Sequence, residues 1–177
     1  FYSLASSSDD GFLEICVRQL PGGLCSTHLL GLQPGEPIAA FIRSNPGFAQ
    51  PRKRQPLLLI GAGVGVAPLA GFIRGNQRHT PMHLYFGGRD PTQDFYFGPD
   101  IERWRGEGRV ARVQTAFSRV PDGGGYVQDT LRHDAERVRE LVMQGAIVRV
   151  CGSRAMAQGV SDALDEVLAP LNLNVAQ

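Results

Sequence analysis

Leu57-Leu58-Leu59-Ile60 runs without a polar interruption into Gly61-Ala62-Gly63-Val64-Gly65-Val66-Ala67-Pro68, and few folds accommodate such a passage. A strand with no polar alternation belongs in a sheet covered on both faces, as in parallel sheets flanked by helices. Proline suits the first turn of a helix, where its missing N–H costs nothing, so a helix is expected from about Ala67. Gly61, Gly63 and Gly65 permit positive φ and close approach of a ligand. The helix start adds unpaired N–H groups and the positive end of its dipole. The guest such a turn suits best is the pyrophosphate of a dinucleotide. The spacing departs from the G-x-G-x-x-G fingerprint, and a tight strand-to-helix turn without a ligand also fits this segment alone.

The rest of the chain repeats the pattern. After the Leu57–Gly61 strand and its helix, strands are expected at Met82–Phe86, Arg109–Phe117 and Ile147–Cys151. Helices are expected near Pro99–Arg105, as one long element within Val127–Met143, and within Ala155–Leu168. Strand and helix in alternation imply βαβ units with right-handed crossovers, and ligands then bind beyond the carboxyl ends of the strands. Before this region, Phe12–Arg18 and Pro37–Arg43 read as strands, Tyr2–Ser6 is strand-like, and Ser26–Leu32 suits a short helix. Asn45-Pro46-Gly47 through Gln55-Pro56 punctuates the two patterns. The expected organisation is therefore a β-rich unit over 1–50 and an α/β unit over 56–177.

Charge and cysteine content narrow the function classes. A net charge of +1 over 177 residues gives no electrostatic footprint for nucleic acid. No apolar run reaches the roughly 18 residues of a membrane span, and no signal-peptide pattern opens the chain, so this segment reads as soluble with no membrane partner. Cys16, Cys25 and Cys151 are spaced for neither a disulfide framework nor a zinc site, which suits a reducing, cytoplasmic setting. His28, His79, His83 and His133 stand apart from one another and from acidic pairs, so no metal is expected. The chain opens at Phe1 directly on a strand-like run and closes at Gln177 without a capping signal, and it reads as a piece of something longer.

Six ordered segments carry a resemblance. Tyr2-Ser3-Leu4-Ala5-Ser6-Ser7, Gly23-Leu24-Cys25-Ser26-Thr27, the glycine run with Ala67-Pro68, Phe86-Gly87-Gly88-Arg89, Ala116-Phe117-Ser118-Arg119 with Tyr126-Val127-Gln128, and Val150-Cys151-Gly152 together resemble the ferredoxin-NADP reductase superfamily. The branch they resemble is that of the diflavin reductases, which includes cytochrome P450 reductase and the sulfite reductase flavoprotein. The resemblance implies a parallel five-stranded Rossmann-like NAD(P)-binding domain, preceded by part of an antiparallel FAD-binding β-barrel and lacking the family's C-terminal end. It also implies a flavin-dependent oxidoreductase that passes hydride from NADPH to FAD. Electrons then go onward to a flavodoxin-like FMN domain or a haem or siroheme protein, on the same or a separate chain. Two alternatives stay open: an NADP(H)-binding fragment that is silent without the rest of the FAD domain, and a single-flavin ferredoxin or flavin reductase.

By the same resemblance, Tyr2 and Ser3 meet the flavin, an aromatic able to stack and a neutral hydroxyl able to hydrogen-bond without adding charge. Gly23, Ser26 and Thr27 hold the flavin pyrophosphate, the hydroxyls also suiting helix N-caps. Gly61, Gly63, Gly65, Ala67, Pro68 and Arg89 belong to the nicotinamide-nucleotide loops. Ser118 and Arg119 suit a 2′-phosphate, and Tyr126 and Gln128 the adenosine end. Cys151 and Gly152 line the nicotinamide pocket, so Ser3 and Cys151 are the residues expected beside the chemistry. No base adjoins Cys151 in sequence, which argues against a nucleophile. One departure matters: the family usually has lysine two residues before the tyrosine, and this chain has Gly124, within Gly123-Gly124-Gly125. A missing cation weakens the preference for NADPH over NADH.

Overall fold

The computed structural model describes residues 1–49, 54–121 and 124–175. Part of the punctuating stretch (50–53) and Gly123 lie outside the described residues. Four parallel strands form one sheet: β1 (Leu57–Ala62), β2 (Met82–Gly88), β3 (Arg112–Phe117) and β4 (Ile147–Cys151), in the order β3-β2-β1-β4. The chain builds outward from β1 to β3 and then returns to the other side of β1. That reversal leaves a crevice between β1 and β4 at their carboxyl ends.

Alternation along β1 explains the two layers. Leu57 and Leu59 face one side, with Leu69 and Ile73 of α2 (Ala67–Arg74) and Ile101 and Trp104 of α3 (Gly98–Gly106). Leu58 and Ile60 face the other, among Leu131 of α4 (Val127–His133), Val138 of α5 (Ala135–Met143) and Leu164 of α6 (Arg154–Leu168). All four β1 side chains are fully buried, at about 1.5–3 kcal/mol each for side chains of this size.

Several expectations are corrected. The sheet has four strands among the described residues rather than five. The long helix expected over Val127–Met143 breaks at Asp134 into α4 and α5. There the Asp134 carboxylate accepts hydrogen bonds from the Tyr85 hydroxyl (2.6 Å) and the Arg112 guanidinium (3.2 Å), pulling the junction toward the sheet. β3 begins at Arg112, not Arg109, because Arg109 is engaged outside the ladder: its guanidinium donates to the Arg74 carbonyl and pairs with Glu107 at 2.6 Å. No strand forms over 12–18 or 37–43; residues 1–49 contain α1 (Leu24–Gly31), a 3₁₀ turn at Pro46–Phe48 and one antiparallel bridge, Leu4–Ile15. The alternating apolar residues of those stretches, Leu13, Ile38 and Phe41 among them, stay exposed, since no neighbouring strand among the described residues covers them.

The first unit is nevertheless tied to α2. Arg74 in its last turn pairs with Asp10 (3.3 Å) and Glu14 (2.8 Å), and its guanidinium lies over the Phe12 and Trp104 rings. A Cβ on Gly71 would come within 3.2 Å of the Ala5 and Ser6 carbonyls, so the N-terminal segment lies directly on this helix.

The 3₁₀ turn Gly63–Val66 presses on the end of β4 so closely that a Cβ on Gly65 would sit 2.2 Å from the Cys151 carbonyl oxygen. Gly65→Ala is expected to destabilise the fold by about 1–3 kcal/mol in urea unfolding, as overpacking does. His83 on β2 is buried with Nδ1 lacking a partner among the described residues, and burial, aided by the Arg137 and Arg112 charges, lowers its imidazole to about 4. Protonation then favours the unfolded chain, so the stability this site contributes is complete above about pH 6.5 and falls as pH drops toward about 4. His83→Leu is expected to show a flatter stability profile across that window.

Candidate functional site

A cleft of about 1220 Å³ opens at the carboxyl ends of the strands, lined by residues of both units. It exceeds the roughly 300–1,000 Å³ typical of pockets for drug-sized ligands. Its floor is the β1–β4 crevice. Gly63 has φ +54° with nothing within 4 Å of a would-be Cβ, so its backbone faces open space in a conformation other residues avoid. The glycine triplet thus divides its work. Gly63 leaves a cradle that a side chain would fill, Gly65 meets the β4 backbone, and Gly61 packs against the Leu69 side chain.

On the β4 side, Cys151 and Gly152 line the cleft, followed by Ser153, whose hydroxyl caps α6 by accepting from the Met156 N–H at 3.2 Å. Burial pushes the Cys151 thiol above its ordinary range. Burial and the neighbouring Glu14 do the same for Cys16, another lining residue. Both are thiols rather than thiolates at neutral pH, forming a neutral wall without nucleophilic character.

Beyond β2 and β3, backbone pairing continues past the strand ends. The Ser118 N–H donates to the Gly88 carbonyl (3.1 Å) and the Arg119 N–H to the Arg89 carbonyl (2.8 Å). Arg89, Ser118 and Arg119 therefore share one corner. Arg89 and Ser118 line the cleft, while Arg119 stands exposed outside its lining. Neither arginine is ion-paired among the described residues. On the adjoining wall, Tyr126 offers an exposed ring at the start of α4. Gln128 also lines the cleft and packs against Gly159 of α6, where a Cβ would lie 3.3 Å from its amide nitrogen.

The first unit contributes Tyr2, Ser3, Gly23 and Ser26 to the opposite wall. The Ser26 hydroxyl is already committed, accepting from the Leu20 N–H at 3.1 Å and lying 3.3 Å from the Gly23 carbonyl. It holds the turn before α1 rather than standing free. Thr27 lies outside the cleft, in a separate depression with His28 and Gly31. Gly61 and Pro68 also lie behind the cleft wall rather than on it. The sequence reading missed Arg18, Asp94, Tyr96 and Met156, which line the cleft. Asp94 closes a turn-rich stretch, Asp90-Pro91-Thr92-Gln93-Asp94, and Tyr96 follows it; the composition marks a loop but not where it points.

Gly124, where the resemblance leads to the expectation of a lysine, sits in a tight loop. The Gly125 N–H donates to the Phe117 carbonyl, and a Cβ on Gly124 would lie 2.8 Å from that oxygen and 2.9 Å from the Ser118 carbonyl carbon. In this loop geometry residue 124 has no room for a side chain.

Residues 59–162 match the oxidoreductase NAD-binding domain family. NADPH oxidoreductase A of Dictyostelium discoideum is 32% identical over 95% of this chain, which spans 29% of that protein. Nitric oxide synthase 3 of Sus scrofa is 38% identical over 94% of the chain, with 14% of its own length covered. NADPH-dependent diflavin oxidoreductase 1 of Eremothecium gossypii is 31% identical over 86% of the chain, with 26% covered. The chain thus spans less than a third of each of these relatives.

Gly124→Lys is expected to lower stability by about 1–3 kcal/mol and to bring no gain in affinity for 2′,5′-ADP despite the added cation. Thermal unfolding and calorimetry check the two halves.

Proposed function

Since the chain belongs to the oxidoreductase NAD-binding domain family and to the diflavin-reductase branch of the ferredoxin-NADP reductase superfamily, we propose that it is the nucleotide-binding end of an NADPH-dependent flavoprotein reductase. The observation that carries this reading is the convergence at the strand ends: an open, positive-φ Gly63 beside the β1–β4 crevice, and two arginines with no ion pair among the described residues beside a serine at the β2–β3 corner. Backbone N–H groups with no Cβ in front of them suit a pyrophosphate, and planar guanidinium groups suit a 2′-phosphate.

When bound, the nicotinamide and the flavin supply the hydride chemistry, and the protein supplies alignment and a water-limited pocket. In this reading Cys151 and Gly152 form the floor under the nicotinamide, where a neutral thiol adds no competing charge. Tyr2 covers a flavin face and the Ser3 hydroxyl donates or accepts beside it. Gly23 and the start of α1 approach the flavin pyrophosphate, with Ser26 and Thr27 shaping that turn. Tyr126 stacks on adenine and Gln128 borders it, while Ser118, Arg119 and Arg89 hold the 2′-phosphate. Residues 1–50 are read as the C-terminal part of an FAD-binding barrel and 56–177 as the NADP(H) domain, with a flavodoxin-like FMN domain or another redox protein as acceptor, in the cytoplasm.

A second reading, nucleotide binding without flavin, is favoured by one observation: residues 1–49 form a single bridge rather than a sheet and leave Leu13, Ile38 and Phe41 exposed. Incubation with FAD, desalting and anaerobic addition of NADPH distinguishes the two. Bleaching of retained flavin supports the reductase, whereas loss of flavin with 2′,5′-ADP affinity intact supports the second reading. Arg119→Ala is expected to weaken NADPH about tenfold or more and NADH hardly at all, as loss of a bidentate phosphate contact would; equal losses remove Arg119 from that role.

A further inference from the structure

A carboxylate on the wall of a cleft that takes phosphates is an anomaly, and Asp94 is one. Its bonding resolves the anomaly. One carboxylate oxygen, Oδ2, accepts from the backbone N–H of Arg89 (3.1 Å) and of Asp90 (3.0 Å), and Oδ1 lies 3.3 Å from the Tyr96 hydroxyl. The Asp94 N–H returns to the Asp90 carbonyl at 2.8 Å. The Arg89 peptide is thus held on both sides, its N–H by Asp94 and its carbonyl by the Arg119 N–H. Packing seals the turn: a Cβ on Gly88 would lie 3.3 Å from the Asp94 Cβ and 2.9 Å from the Phe117 ring.

We propose that Asp94 is a positioning residue that fixes the backbones of Arg89 and Arg119 relative to each other, so that their guanidinium groups converge on one phosphate of the nucleotide. The inference rests on the nucleotide reading above. A long arginine loses considerable rotamer freedom on binding, and a rigid start to its side chain reduces what remains to be ordered. Charge-assisted hydrogen bonds from two successive amides also turn the negative charge inward, toward the loop backbone and away from the ligand.

The test is a double-mutant cycle on the 177-residue chain, read by calorimetric titration with 2′,5′-ADP. Asp94→Ala is expected to weaken binding about tenfold in the wild-type background and less than about twofold in an Arg89→Ala/Arg119→Ala background, because it acts through those two side chains. Asp94→Asn, which keeps the acceptor without the charge, should stay within about threefold of wild type. Equal losses in both backgrounds would overturn the proposal, and so would tighter binding by the alanine variant, which would make Asp94 a repulsive charge only. Amide hydrogen exchange needs no ligand: the Arg89 and Asp90 amides should exchange faster in Asp94→Ala, and unchanged exchange also overturns the role. Asp94→Ser runs the same cycle if the alanine variant does not fold. A wild-type chain that fails to bind 2′,5′-ADP would overturn the nucleotide reading and this inference with it, whereas binding with additive losses overturns the inference alone.

Discussion

The cleft depends on a contact between two backbones. Gly65 sits against the Cys151–Gly152 peptide so tightly that no other residue fits, and this contact sets how far apart the loops after β1 and β4 stand. β1 provides the rigid reference for both loops, because its four large side chains are buried on two faces and cannot shift without opening both core layers. A parallel sheet directs every strand end to the same side. The topological reversal between β1 and β4 then leaves the crevice uncovered by a crossover. The geometry of the cleft at this end is therefore inherited from core packing, with little left to loop flexibility.

The second wall is attached differently. Residues 5–15 lie along α2 through close backbone contact at Gly71 and through the Arg74 guanidinium, which serves Asp10, Glu14, Phe12 and Trp104 together. The Arg74 side chain is largely shielded, so its pairings are screened less than an exposed ion pair would be. Tyr2 and Ser3 reach the cleft on this attachment, with only a single bridge of sheet beside it. The two walls thus rest on unlike physics. One is set by apolar burial, the other by a polar cluster on a helix end. Conditions that weaken ion pairs are expected to loosen the first unit before the sheet.

Some of this was legible in the residues. The unbroken apolar run at Leu57–Ile60, the alternation of strand and helix after it, and the small and polar residues clustered after each strand end indicate a parallel sheet with a cleft at its carboxyl edge. Most of the candidate residues do line that cleft. Thr27, Gly61, Pro68 and Arg119 do not, because a local motif cannot tell which member of a turn faces outward and which packs inward. The strands read over 12–18 and 37–43 illustrate the same gap. Alternation records a face suited to burial, and a strand forms only where a partner supplies the other half of the ladder.

What the sequence by itself determined is the parallel α/β class of the sheet-bearing part and the residue types that gather at its strand ends, because both follow from local periodicity and residue type. The division of labour among the glycines, the helix break at Asp134, the exclusion of a side chain at Gly124 and the turning of Asp94 toward the Arg89 amide were decided only in three dimensions. Each of these depends on contact between segments distant in sequence or folded back on one another, and close-packed backbone leaves no trace in periodicity or composition.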